Sequence, residues 1–347
     1  MRKLLTCLLM VAVIPGWSQV SKDSILINER SIDRPLTLHK GQLRITGGYS
    51  LGIITKRFDD SGDVIRLSDE GLSSVRHTML LELKYGVLDF IELQALLPYQ
   101  SQTEREQSSF IFGSPDVYTN ELREYNGMED IFVGLNGRVP LKTKKIDIAL
   151  LTGISLPTAK REPDKPTHEA FREDINGFEV LNVDYHYNYN QGNGVPVIQL
   201  GGWFKYRMPN MAFSAQVIHR HGLETGESYD WISQLDDDDN FEYQKDPYTF
   251  QLPDRLNGFV EVEYQPRPWL NLIATVSAFT ATKGWIEEDG AKTAVPDATL
   301  ISCSPGLEIL ITPKLWLRQR VQIPVAGENH ESALTFFTTI SYNFFPF

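Results

Sequence analysis

The stretch VRHTMLLELKYGV, residues 75–87, carries a beat of two. Val75, Met79, Leu81, Leu83 and Tyr85 share one face of an extended chain, and Arg76, Thr78, Glu82 and Lys84 share the other. Successive side chains of a strand point to opposite sides, so this pattern predicts a strand with one apolar and one polar face. The beat returns in QLRITGGYSLGI, residues 42–53, where Leu43, Ile45, Tyr49, Leu51 and Ile53 alternate with polar or small residues. It returns again at Ile131, Val133, Leu135 and Val139, and at Leu315, Leu317, Val321 and Ile323. No amphipathic-helix pattern competes with it.

A soluble sandwich alternates too, so the joins between strands must decide. Short joins rich in turn residues fall at Gly86–Asp89, Pro140–Lys145, Met208–Asn210, Gln265–Pro268 and Thr312–Pro313. Between them come longer polar stretches, at roughly 56–74, 100–127, 159–195, 223–254 and 283–298, with a shorter one near 326–331. Long and short joins strictly alternate, which places every long loop at one end. A bacterial outer-membrane barrel has this form: an even number of antiparallel strands, short periplasmic turns and long extracellular loops. The expected fold is therefore all-β, an antiparallel transmembrane β-barrel of about 12 strands. The segment FEVLNVDYHYNYN, residues 178–190, has strand character, but counting it would break the alternation. It is assigned to the third outer loop, as an extension above the membrane.

The N-terminus agrees with export. Arg2 and Lys3 precede an apolar run from Leu4 to Ile14, then Pro15, Gly16, Trp17 and Ser18. A charged n-region, a short apolar core and a small-residue exit predict a signal peptide over 1–18, too short to span a bilayer as a helix. Residues 19–40 then form a periplasmic lead-in and 41–347 the barrel. Ser24 to Lys40 is long enough to enter the lumen as a plug, although a solvated lead-in is the simpler reading. Removing 1–18 moves the formal charge from -12 to -14 and leaves Cys303 as the single cysteine. That excludes an intramolecular disulfide and disfavours nucleic acid as a partner.

Several stretches resemble one family. IDRPLTLHKGQLRI (32–45), YGVLDFIELQALLPY (85–99), GMEDIFVGLNGRV (127–139) and IALLTGISLPT (148–158) are similar to the transporter-like outer-membrane barrels named for the MetA pathway of phenol degradation. The shared pattern is a DRP segment before the first strand, a Leu-Pro-Tyr strand end, a Gly-x-x-Asp lead and a Leu-Pro-Thr-Gly exit. The last departs here, with Ala159 in place of Gly. The resemblance implies a barrel and passage of small hydrophobic or aromatic compounds, and it supplies no catalytic residue.

In lipid the polar face of each strand must turn inward. The lumen and solute path are then expected to carry Arg44, Glu82, Lys84, Asp130, Arg138, Glu308, Arg318 and Arg320, beside Arg76, Glu92, Asp147, Lys205, Arg207, Arg220, Glu261 and Glu263. Mixed charge suits a narrow channel for a small solute, and equally a closed barrel serving as a structural or surface-interaction protein. Tyr264, Trp269, Trp316, Tyr342, Phe344 and Phe347 flank short turns or end the last strand, and are expected at the inner membrane interface among lipid headgroups. No cofactor is expected, and no metal. Asp236 to Asp239 with Asn240 lack the glycine and distal glutamate of a calcium loop and read as a solvated tip. His219 and His221 share a strand face but have no third ligand nearby in sequence. Gly192-Asn193-Gly194 is a turn, since no helix follows it. No GxSxG elbow is present and serines and histidines are scattered, so catalysis is not expected; an outer-rim Ser–His or Asp–His pair would reopen it.

The terminal SYNFFPF sets Ile340, Tyr342 and Phe344 on the outward face of the closing strand. An aromatic terminus resembles the signal by which barrel assembly machinery recognises its substrates. Deleting Phe344–Phe347 is expected to block membrane assembly, followed by fractionation and protease protection; normal insertion would count against this reading.

Overall fold

The computed structural model describes residues 31–108, 117–143, 145–175, 178–235 and 241–344. The signal segment, residues 19–30, the acidic run 236–240 and Phe347 lie outside the described residues. Twelve long strands form a closed ring: β1 (Leu43–Phe58), β2 (Leu72–Leu88), β3 (Ile91–Ser108), β4 (Ile131–Arg138), β5 (Ile146–Leu156), β6 (Val197–Arg207), β7 (Met211–Gly222), β8 (Asp254–Arg267), β9 (Leu270–Thr282), β10 (Ala298–Thr312), β11 (Leu315–Glu328) and β12 (His330–Phe344). Each pairs antiparallel with its neighbours in sequence order. The ring closes where β1 meets β12, with Leu43 opposite Phe344 and Gly47 opposite Ile340. The expected transmembrane barrel is the observed fold. No helix among the described residues is long and apolar enough to cross a membrane, and the crossing is made by strands.

Burial is inverted relative to a soluble protein. Glu92 and Asn136 are 1% exposed and Glu308 3%, whereas Leu150, Val325, Ile311 and Val217 are 52–62% exposed. Continuous exposed apolar surface on this scale needs a nonaqueous solvent. The parity read from the sequence holds around the ring: even positions of β2 and odd positions of β8 turn inward, and their neighbours face lipid.

Segment 178–190 stands outside the ring, as expected. Phe178–Tyr189 pairs with Thr167–Ile175 and runs parallel to Val117–Met128, which extends the outer half of β3. A separate sheet of Gly226–Leu235, Phe241–Gln251, Trp285–Glu288 and Ala291–Ala294 is built from two further outer loops.

The described part of the lead-in is not solvated. Residues 31–42 lie against the inward face at the short-turn end, with Ile32 fully buried and Thr37 and Leu38 2% exposed. The main-chain N–H of Leu38 donates to Glu92 at 2.9 Å, and that of Leu36 to Asp147 at 3.3 Å. Strand residues whose carboxylates are buried in the lumen, Glu92 and Asp147 among them, offer acceptors that main-chain N–H groups of the lead-in satisfy, which favours docking over solvation. The chain can press this close because residue 86 is glycine: a Cβ there would sit 2.0 Å from the His39 carbonyl oxygen.

Trp269 (53% exposed), Tyr264 and Phe344 lie on the lipid side near the short turns, and Tyr342 contacts Phe344 edge-on, ring centres 4.3 Å apart. Trp316 does not join them. It is 6% exposed and turns inward, sharing the parity of Arg318 and Arg320; its position beside a turn outweighed its register in the sequence reading.

Replacing Leu150 by Arg tests the orientation of the faces. A cation on the lipid side near mid-bilayer is expected to cost about 2–4 kcal/mol. Urea unfolding in lipid vesicles measures this, and a loss near zero would place Leu150 in water.

Candidate functional site

The lumen's chemistry is built from i, i+2 pairs on inward faces. Glu308 of β10 lies directly opposite Arg318 of β11, and Glu261 and Glu263 of β8 stand two strands further on. Arg318 therefore reaches three carboxylates: its Nε donates to Glu308 at 3.1 Å, and its Nη atoms lie 3.5 Å from Glu261 and 3.3 Å from Glu263. Arg320 adds a 3.7 Å pair to Glu261, and Lys205 of β6 a 3.9 Å pair to Glu263. Thr275 donates to Glu261 at 2.9 Å and Asn271 to Glu263 at 3.3 Å, so both buried carboxylates carry neutral donors as well. Buried charge at this density persists only when it is paired and hydrogen-bonded.

On the facing wall, Lys84 pairs with Glu82 at 3.0 Å and lies 5.4 Å from the Trp203 ring of β6, across the barrel. Gln94 donates to Glu82, and Asn136 bridges Gln94 and Glu92. Arg44 donates to Asn343 at 3.0 Å and stands 5.0 Å over the Trp316 ring. Arg44, Glu82, Lys84, Trp203 and Trp316 line a cavity of about 280 Å³ together with Arg34, Glu308, Arg318 and Arg320.

The lead-in lines this cavity on its short-turn side. Arg34 donates to Glu308 at 3.0 Å while its guanidinium stacks 4.1 Å over Trp316. Arg207 binds the Asp147 carboxylate and the carbonyls of Arg34 (2.9 Å) and Ile32 (3.2 Å). Arg138 lies at 3.8 Å from Asp147 and donates to the Asp89 carbonyl.

Of the eight lumen residues singled out from sequence, Arg44, Glu82, Lys84, Glu308, Arg318 and Arg320 meet around the central cavity. Arg138 belongs to the short-turn clamp. Asp130 stands apart at the long-loop end, where its two oxygens accept from the main-chain N–H groups of Ala159 (3.0 Å) and Asn193 (2.8 Å) and fix the third outer loop. Arg34, Trp203 and Arg255 were not foreseen. Parity alone turns Arg255 inward with Glu261 and Glu263, whereas the DRP segment that holds Arg34 carries no sign that its side chain reaches Glu308.

Asp130 also borders a second cavity of about 270 Å³ near the long-loop end, with Leu80, Leu96, Pro98, Phe132, Glu129, Arg220 and Arg255 among its walls. Phe132 lies flat over a cross-strand glycine pair, where a Cβ at Gly153 would approach its ring to 2.4 Å and one at Gly134 to 2.6 Å. A third cavity of about 260 Å³ adjoins the Arg76–Glu331 ion pair.

His219 and His221 stack on the lipid-facing side, and His221 bonds Asp254 at 2.5 Å. The Asp–His pair that keeps a catalytic reading open is thus present at the rim, and among the described residues no serine hydroxyl bonds that imidazole. No group of three or more His, Cys, Asp or Glu side chains placed to hold a metal ion occurs among the described residues. In the outer sheet Tyr125 stacks on Tyr189 at 4.9 Å, and burial pushes the phenols of Tyr125 and Tyr187 well above their usual range.

No family model matches the sequence, and no curated protein matches it closely. Among solved structures, the chain is similar to an outer membrane channel from Pseudomonas putida F1, at 10% identity over 92% of this chain and 100% of that one, with a TM-score of 0.60. The translocator domain of the autotransporter NalP from Neisseria meningitidis aligns at 10% identity over 88% and 90% of the two chains, TM-score 0.47. The P. putida toluene transporter TodX aligns at 12% identity over 92% and 93%, TM-score 0.41. At these identities the first likeness bears on the fold, and the other two add no argument.

Substituting Arg34 by Ala removes the lead-in's ionic anchor while leaving Glu308 bonded to Arg318. A hydrogen bond to a charged partner contributes about 1.5–3 kcal/mol. Amide exchange at Leu36 and Leu38 is therefore expected to rise about tenfold or more in the variant; unchanged protection would show that the segment is held by other contacts.

Proposed function

We propose that this protein is an outer-membrane channel that passes small solutes, hydrophobic or aromatic ones included, through a narrow mixed-charge lumen. The observation that carries the reading is the inward placement of Arg44, Glu82, Lys84, Glu308, Arg318 and Arg320 around a 280 Å³ cavity inside a closed barrel. A cavity of about 150 Å³ accommodates benzene, so the space suits a single-ring molecule. Arg318 and Arg320 present cations to the lumen while Glu82 and Glu308 set the opposing field, and rings of fixed charge select permeants at close range. Delivery to the outer membrane rests on the signal segment and on recognition of the aromatic last strand by the assembly machinery.

A second reading is favoured by one observation, the docking of residues 31–42 across the short-turn end. Under it the barrel is closed and serves as a structural or surface-interaction protein through its outer sheets.

Planar-bilayer recording separates the two. The wild type is expected to conduct, and Arg318→Ala with Arg320→Ala to shift its selectivity toward cations. Absence of conductance in the wild type supports the closed barrel, and unchanged selectivity in the double variant removes these residues from the path.

A further inference from the structure

Most inward positions of the barrel are polar, but Leu80, Leu96, Pro98 and Phe132 interrupt them with an apolar wall at one height. Facing the same cavity are Arg220 of β7 and Arg255 of β8, directly opposite each other in the strand register. Like charges in this position repel, and burial makes the repulsion costlier. Every other inward cation described above has a carboxylate, carbonyl, amide or ring as its partner. Among the described residues, no ion pair or hydrogen bond engages either of these two guanidinium groups, and Arg220 Nε is shut off from water with no acceptor.

Resident carboxylates do not fill the gap. Asp130 spends its oxygens on Ala159 and Asn193. Glu129 lies within electrostatic reach but outside ion-pair distance; burial pushes its carboxyl up, against the pull of Arg220 and Arg255. The pair thus lacks an acceptor, while the apolar wall facing it lacks a hydrocarbon neighbour.

We propose that Arg220 and Arg255 form, with Leu80, Leu96, Pro98 and Phe132, a binding site for a small organic monocarboxylate. The carboxylate accepts from the two guanidinium groups, which are suited to planar bidentate recognition of that group. The apolar part of the ligand lies against the leucines, the proline and the phenylalanine ring. A bare inorganic anion leaves that wall uncovered, and a neutral arene leaves Arg220 Nε without an acceptor. The inference deepens the channel reading and rests on it only for the route by which the ligand arrives.

Equilibrium dialysis of the full mature chain in detergent micelles, with radiolabelled benzoate as probe, tests the site. Saturable benzoate binding is expected, with benzyl alcohol binding about tenfold more weakly or worse. Arg220→Gln and Arg255→Gln should each raise the benzoate Kd about tenfold or more, the loss of one charged hydrogen bond. Equal affinity for benzyl alcohol, efficient displacement by chloride or inorganic phosphate, or an unchanged Kd in both variants overturns the proposal. So does absence of saturable binding by the wild type, a result that needs no variant to fold. Ion conductance is recorded on the same preparation: a wild type that conducts but binds no benzoate loses this site and keeps the channel. One that binds but does not conduct keeps the site and loses the channel.

Discussion

The pairing of β1 with β12 is the constraint on which the rest depends. In a hydrocarbon solvent an open strand edge leaves a row of N–H and C=O groups unpaired at several kcal/mol each. Closing the ring between Leu43–Phe58 and His330–Phe344 removes both edges at once. Once closed, the sheet has only two faces, and solvent assigns them: apolar residues go out to lipid and polar residues are trapped within. The buried carboxylates and guanidinium groups of the lumen are thus a consequence of closure.

Trapped charge then organises the interior. Arg318 is shared by Glu261, Glu263 and Glu308, and the last of these is shared in turn with Arg34. Through that link the segment before the first strand is drawn into the barrel it precedes. The same logic separates the two ends of the lumen. Around the central cavity cations and anions alternate within 3–4 Å, whereas near the long loops Arg220 and Arg255 stand together beside an apolar wall. The lumen is therefore chemically graded along its axis.

The outer loops continue the sheet. Val117–Met128 and Phe178–Tyr189 extend β3 above the ring, and Asp130 ties the third loop to the β4 lead through two main-chain bonds. Parity turns Asp130 inward, where it borders the second cavity, and its height at the long-loop end makes it a clamp as well.

Sequence alone determined the period of the strands, put their number at about twelve and set the face to which parity turns each residue, because a two-residue repeat is local and lipid leaves it no alternative. The Gly-and-Pro joins fixed which ends are short, and parity assigned Arg44, Glu82, Lys84, Glu308, Arg318 and Arg320 to the inside. Where local context was set above parity, as for Trp316, the sequence reading went astray. Tertiary structure alone decided which inward residues meet. Arg34 and Glu308 are 274 positions apart, and Leu38 and Glu92 are 54 apart. Their encounter depends on ring closure and on height along the barrel, neither of which leaves a mark on neighbouring residues. The juxtaposition of Arg220 and Arg255 with Leu80, Leu96 and Phe132 belongs to the same class, since contacts across a lumen are set by the radius and register of the whole ring.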